Sequence, residues 1–359
     1  MRLSSLVTIE RRDPAADVLL VTNCWPHPDE PKYGIFVRRQ VDSLAARGFR
    51  CEVMFIRGYR TPLAYLVAAV KLFRLNFARR PRYRVVHAHV GEAMLPCLFY
   101  LRGRRVVTFH GDDIMGTPLE DAKITRGSRI RRAVFRQLSR VVTATMTVSP
   151  QMHKQLPPVS QRKNRVVPCG VNGQFFRPVS REVARRELGW EADGAVALFG
   201  ADPAVPRKRY WLAEAACEEA RRRGLQIRLH VAKDVLPEQM PLVMNAADCL
   251  LLTSAVEGSP MVVKEALMCN LPVVATDAGD IRDLLHGTSH SRVADATPEA
   301  LADALLDCVE EGRRSNGRSG AEWVDEARVA EYIDEFIDAA RRGDALPAPL
   351  KRGGGQEAS

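Results

Sequence analysis

Two glutamates eight positions apart, Glu257 and Glu265, stand either side of a polar turn, Gly258-Ser259-Pro260. Ser-Pro is a helix-start signal: serine caps orphan amides, and proline fits the first helical position, where no donor is needed. A helix is therefore expected from Pro260, with Ser259 as its cap. The free amides of Met261 and its neighbours would make an anion site. Glu257 falls in the loop ahead of that site, and Glu265 about a turn and a half into the helix. Carboxylates accept hydrogen bonds from hydroxyls, so the implied ligand carries hydroxyls on both sides of its phosphates. A nucleotide sugar fits. Acids near helix starts are also common for the dipole alone, so the pair needs its context.

Other residue types extend the pattern. Arg207, Lys208 and Arg209 follow a strand-like run and precede a helix-like one within GADPAVPRKRYWL (200–212). Cations oppose a helix N-terminal dipole, so three in a row there point to a pyrophosphate. His110, in VTFHGDD (107–113), is expected at a strand end, and Asp112 and Asp113 either orient it, meet acceptor hydroxyls or are solvated turn residues. Gly34 precedes a helix, where a missing side chain lets backbone approach a phosphate. His87 and His89 alternate along one strand, and with no acidic or cysteine cluster beside them structure is favoured over metal ligation. There is no D-x-D motif to hold a divalent ion against a diphosphate. The expectation is therefore no metal and no resident cofactor.

These residues need elements to hold them. Strand-like runs at 17–22, 51–56, 85–88, 106–110 and 141–149 alternate with amphipathic segments such as 34–47. After a linker near 178 the pattern restarts with strands at 195–199, 226–230, 249–254 and 272–276. Alternation of this kind predicts parallel sheets with crossover helices. Two doubly wound α/β domains are expected, 1–178 and 179–323, binding ligands at the carboxyl ends of their strands and facing each other across a cleft. A helix over 324–342 packs on one of the domains and could cross back to the first; the polar tail 343–359 reads as disordered.

Length and composition agree. A chain of 359 residues favours two cores, and 46% hydrophobic with 27% charged residues describes a globular protein. Lys and Arg exceed Asp and Glu by 53 to 43, a net charge of +10 that favours anionic partners. The eight cysteines are scattered without a CxxC pair, and no signal-like or spanning apolar stretch is evident. A cytoplasmic location is expected. Residues 59–84 combine an apolar run with a basic end, FARRPRYR, as peripheral contact with an anionic membrane surface requires.

The combination resembles the retaining glycosyltransferases of family 4, which have the GT-B fold. Their second domain carries E-G-x-P-x-x-x-x-E-A followed by P-V-V-A-T and a glycine. Here the order is Glu257-Gly258-Ser259-Pro260, Glu265-Ala266, Pro272-Val-Val-Ala-Thr276 and Gly279. NRVVPCGVNGQFFRP (164–178) is similar to the family's interdomain segment, VTFHGDD to its T-x-H-G motif, and KYGIFVRRQVDSLAARGF (32–49) to its glycine loop and first helix. The details KEAL, PRKRY and GIFVRRQ resemble members that build cell-surface polysaccharides of the teichuronic-acid type.

The resemblance implies that Glu257 contacts the donor sugar near the reacting centre and that Glu265 binds the ribose. It implies that Lys208 is the family's phosphate-binding lysine and places His110 near the donor sugar. Ala201 stands where the family has an arginine, leaving Arg207 or Arg209 to supply the guanidinium. Gly34, Gly258, Ser259 and Met261 complete the expected donor-binding set, with Asp112 and Asp113 toward the acceptor. The implied reaction moves a sugar, with retention, from a UDP- or GDP-linked donor to a carbohydrate or lipid-linked acceptor. A GT-B epimerase or phosphorylase is the nearest alternative, and no pyridoxal-phosphate site is evident. A nucleic-acid-binding module is disfavoured by distributed charge and 6% aromatics. A dehydrogenase is disfavoured by the missing GxGxxG after the first strand.

Overall fold

Short runs of Val, Ile and Leu that are apolar on both faces alternate along the chain with segments apolar on one face, the pattern of buried parallel strands and their covering helices. The computed structural model describes residues 3–28, 30, 33–79, 83–116, 124–233, 235–309 and 312–350. It divides into two compact units.

The first unit runs β1 (Val7–Arg11), β2 (Val18–Thr22), α1 (Ile35–Ala46), β3 (Cys51–Ile56), α2 (Leu63–Leu75), β4 (Val85–His89) and α3 (Gly91–Cys97). It continues through β5 (Arg104–Phe109), α4 (Asp112–Met115), α5 (Arg126–Leu138), β6 (Ala144–Thr147), α6 (Pro150–Gln155), α7 (Pro158–Arg162) and β7 (Asn164–Val166). Its seven strands lie in the order β1-β3-β2-β4-β5-β6-β7. β2 and β4, at the centre, are buried at every position. One face of the sheet packs on Ala64, Ala68 and Leu72 of α2, Ala93, Met94 and Cys97 of α3, and Phe135 of α5. The other packs on Val37, Val41 and Leu44 of α1.

The second unit runs α8 (Arg181–Leu188), β8 (Ala195–Phe199), α9 (Tyr210–Arg222), β9 (Ile227–Val231), α10 (Met240–Ala246), β10 (Cys249–Leu252) and α11 (Met261–Met268). β11 (Val273–Thr276), α12 (Ile281–Leu285), β12 (Arg292–Ala294), α13 (Pro298–Val309) and α14 (Gly317–Ala321) follow. Its five-stranded sheet is parallel throughout, in the order β12-β11-β10-β8-β9.

α15 (Glu326–Arg342) belongs to the first unit, on the same sheet face as α1. Val329, Ile333, Phe336, Ile337 and Ala340 recur at helical spacing and are all buried there. The passage out of the first unit falls after Gly170, ahead of the expected 178, and the return falls at Glu326.

Two expectations need correction. Residues 7–11 form an edge strand antiparallel to β3, so the first sheet is not wholly parallel. The tail is not loose from 343 onward: Arg165 Nε donates to the Pro347 carbonyl at 2.6 Å, the Tyr332 hydroxyl to that of Ala348 at 2.8 Å. Leu346 and Leu350 pack on the α1–α15 core. Residues 351–359 lie outside the described residues.

A buried charge cluster ties α8 to the second sheet. Arg185 Nη2 donates to Asp248 Oδ2 at 2.6 Å, which also accepts from the Val196 amide at 2.6 Å, while Arg181 pairs with the other oxygen. Asp248→Ala leaves the buried Arg185 guanidinium uncompensated and is expected to cost about 3–5 kcal/mol. Urea unfolding followed by circular dichroism checks this; a loss below about 1 kcal/mol would assign the pair no more weight than a surface ion pair.

Candidate active site

In the second sheet the chain leaves β8 for β9 on one side and later enters β10 on the other, so the order reverses between β8 and β10. Such a switch point opens a crevice at the carboxyl ends of the strands. The loops after these two strands carry Arg207, Lys208, Arg209 and Glu257. A 3₁₀ turn, Pro206–Lys208, is laced to the β10 loop: the Ala255 amide donates to the Arg207 carbonyl at 2.8 Å, and the Thr253 hydroxyl reaches those of Lys208 and Arg209.

The result brings the expected charges together. Lys208 Nζ donates to Glu257 Oε1 at 2.5 Å, and Arg207 Nη1 stands 3.6 Å from Oε2. The Glu257 side chain is mostly buried, so it is held in place by two cations. Immediately beyond it α11 begins, with the amides of Met261 and the next residues at its N-terminus free of intrahelical partners. Glu265 lies farther along the same helix, half-buried. Gly279 (φ +66) must be glycine, because a Cβ there would lie 2.8 Å from the Glu257 carbonyl oxygen. The loop after β11 thereby braces the Glu257-Gly258 backbone.

Arg209 is placed differently from the expectation. Its Nε donates to the Thr253 carbonyl at 2.7 Å and its Nη2 to that of Ser254 at 2.9 Å. Burial lowers its pKa from the usual guanidinium range. It braces the β10 loop, which leaves Arg207 and Lys208 as the cations at the mouth.

Ser259 also departs from its expected role. Pro260 occupies the cap position, and the Ser259 hydroxyl donates instead to Asp280 Oδ2 at 2.7 Å while accepting from Lys264 Nζ at 3.2 Å. Lys264 and Asp280 are both buried, and burial pushes the Asp280 carboxyl up to about 6, against the pull of Lys264 and Ser259. Sequence reasoning passed over this pair. The available signal was a lysine amid the apolar positions of α11, which demands a buried acid.

In the first unit His110 directly follows β5, as expected. Its Nε2 lies 3.1 Å from His89 Nδ1 and its Nδ1 3.7 Å from Cys169 Sγ, with Phe36 against the ring at 4.9 Å between centroids. His89, the last residue of β4, is fully buried, and burial pulls its pKa down to about 4, so it is a neutral partner. His87 is bonded to the Thr108 hydroxyl at 2.8 Å. His89 and Cys169 were thus missed as neighbours of His110. The described residues hold no group of three or more His, Cys, Asp or Glu side chains placed for a metal ion.

Asp113 does not face an acceptor. It is buried, and its carboxylate accepts from the amides of Gly91, His110, Gly111 and Ile114 at 3.0–3.2 Å. Burial raises its pKa to about 6 in spite of those bonds. It pins the backbone of His110, and only Asp112 is exposed. Gly34 has φ +67, and a Cβ there would lie 2.2 Å from the Cys24 carbonyl carbon. That contact requires glycine before any ligand is considered.

Comparison with known proteins bears on this geometry. Residues 13–175 match the family model Glycosyltransferase Family 4, and residues 191–311 match Glycosyl transferases group 1. The chain is a glycosyltransferase of the family 4 type. It is 22% identical over 353 residues to TuaC of Bacillus subtilis (strain 168), named as a teichuronic acid biosynthesis glycosyltransferase, covering 80% of this chain and 88% of that one. It is 29% identical over 216 residues to a D-inositol 3-phosphate glycosyltransferase of Acidothermus cellulolyticus, covering 51% and 48%.

Among solved structures, a sucrose-phosphate synthase from Thermosynechococcus elongatus superposes with a TM-score of 0.73 at 16% identity, over 91% of this chain and all of the other. HepE of Anabaena, solved with UDP and glucose, gives 0.65 at 16% identity over 90% and 100%. These likenesses establish the GT-B fold for this glycosyltransferase.

Proposed function

We propose that this glycosyltransferase moves a sugar, with retention, from a UDP- or GDP-linked donor to a carbohydrate or lipid-linked acceptor in cell-surface polysaccharide or glycolipid synthesis. The observation that carries the reading is the Lys208–Glu257 pair at 2.5 Å, set beside the free amides at the start of α11. Lys208, Arg207 and those amides suit a diphosphate. Glu257, in the loop, suits a hydroxyl of the donor sugar, and Glu265, on the helix, suits the ribose. The relatives named as a teichuronic acid biosynthesis glycosyltransferase and a D-inositol 3-phosphate glycosyltransferase, and HepE solved with UDP and glucose, support the choice of substrate class.

In the proposed step the bond from the anomeric carbon to the diphosphate oxygen breaks and a bond to the acceptor hydroxyl oxygen forms. The hydroxyl proton leaves with the diphosphate. Departure is assisted by fixed positive charge and helix amides that are already oriented before the reaction. His110 of the first unit has His89 and Cys169 against its nitrogens and Asp113 pinning its backbone, and it is the family resemblance that assigns it to the donor-sugar side. With cations in this role and no D-x-D motif, transfer does not depend on a divalent ion.

A panel of nucleoside-diphosphate sugars, screened by thermal stabilisation and then for transfer in excess EDTA, tests the reading. At least one UDP- or GDP-sugar is expected to raise the melting temperature and to be consumed. Stabilisation by none of them, or activity that EDTA abolishes and Mg²⁺ restores, contradicts it.

A further inference from the structure

The sheet face of the first unit that α2, α3 and α5 cover has an unusual outer surface. α2 buries Ala64, Ala68 and Leu72 inward, yet its opposite side is apolar as well: Leu63, Leu66, Val70 and Phe73 are exposed at spacings of three and four, and Phe77 continues the stripe just past the helix. A helix apolar on both sides is expected to be covered on both. Leu66 is 60% and Phe77 77% exposed.

The stripe does not end with α2. The loop after α3 is fastened to its C-terminus, since Asn76 Nδ2 donates to the Phe99 carbonyl and the Leu101 amide to Asn76 Oδ1, each at 2.8 Å. Phe99 and Leu101 are thereby held beside Phe77, both exposed, Leu101 at 68%. α5, in the same layer, adds Ile130 and Val134 one turn apart, Ile130 67% exposed.

The segments that carry the stripe are basic; Glu92 of α3, in the same layer, is paired with Arg131 of α5 at 3.0 Å. Residues 57–79, 98–105 and 126–141 contain five, three and six Lys or Arg respectively, and no Asp or Glu. Several of the arginines are spent on carbonyls, as when Arg102 Nη1 donates to Ala78 at 2.7 Å, an arrangement that fixes the guanidinium at the edge of the apolar stripe. Arg60, Arg74, Arg79, Arg126 and Arg140 are exposed. No helix among the described residues is long and apolar enough to cross a membrane.

From this juxtaposition we infer that the outer surface of α2, the α3–β5 loop and α5 docks on an anionic lipid bilayer, with the apolar tips entering the headgroup region and the arginines meeting lipid phosphates. Acid-free basic flanks favour an anionic surface, and apolar side chains projecting from helices suit the acyl boundary. A single-stranded nucleic acid would call for stacked aromatic platforms, whereas this stripe is mostly aliphatic. The inference extends beyond residues 59–84 to two segments that only the fold brings into the same layer. It stands apart from the transfer reaction.

The test uses the full chain without donor, sedimented with vesicles of phosphatidylcholine alone or with about one-third phosphatidylglycerol. Partition onto the anionic vesicles is expected to be about tenfold stronger or more and to fall steeply at about 0.5 M salt. Phe77→Ser and Ile130→Ser, both at exposed positions, should each weaken it several-fold with melting temperature unchanged. Leu236→Ser, an exposed apolar position in the second unit, should not. Equal partition onto both vesicle types, no effect of Phe77→Ser and Ile130→Ser, or preference for single-stranded RNA over anionic vesicles overturns the inference.

Discussion

Lys208→Ala is expected to lower kcat by about two to three orders of magnitude, the usual effect of removing one preorganised charge that faces a developing anion. Lys208 is held by its contact with Glu257 and by the 3₁₀ turn whose carbonyls are fastened to the β10 loop. That turn is secured by backbone bonds and by Arg209, so the variant should keep its fold and its melting temperature. The loss should show in single-turnover rates, where product release does not mask chemistry. A decrease below about threefold would mean that Lys208 does not face the developing charge of the diphosphate.

The second large effect is expected at Glu257. Glu257→Gln keeps size and hydrogen-bonding reach but removes the charge that Lys208 and Arg207 now face at 2.5 and 3.6 Å. Single-turnover transfer should fall about a hundredfold, because the sugar loses a charged acceptor beside the reacting carbon. The two cations, freed from their partner, should still hold the diphosphate. If transfer proceeds at the parent rate, the carboxylate acts only as a counter-ion for the two cations.

Much of this arrangement was legible in the sequence because its parts are local. A strand, a Gly-Ser-Pro turn and a helix fix the spacing of Glu257 and Glu265 without reference to the rest of the chain. Contacts that depend on strand register were not legible. His89 meets His110 because β4 and β5 pair in parallel with His89 opposite Thr108, and Cys169 reaches the same ring from beyond β7. Ser259 looked like a cap because Ser-Pro satisfies helix-start chemistry, but a buried Lys264 and Asp280 compete for its hydroxyl and win.

Asp113 shows the same limit. Beside Asp112 it reads as a polar turn residue, yet four amides from two loops converge on it and draw it inside. The tail was misread for another reason. Residues 343–350 are held largely through their carbonyls, to Arg165 and Tyr332, and backbone acceptors leave no mark in composition. β1 escaped notice because its five residues, ending in Glu10-Arg11, pair only at a sheet edge.

The central claim is a division of labour between the two glutamates at the start of α11, and calorimetry of both variants tests it most directly. Affinity for the bare nucleoside diphosphate and for the nucleotide sugar is measured on the parent protein, Glu265→Ala and Glu257→Gln. Glu265→Ala should weaken both ligands by similar factors, about 1–3 kcal/mol for a lost charged hydrogen bond. Glu257→Gln should leave the bare nucleotide nearly unchanged, because that ligand has no donor sugar for the side chain to meet. If Glu257→Gln weakens the bare nucleotide as much as Glu265→Ala does, or if Glu265→Ala weakens neither ligand, the proposed arrangement is wrong.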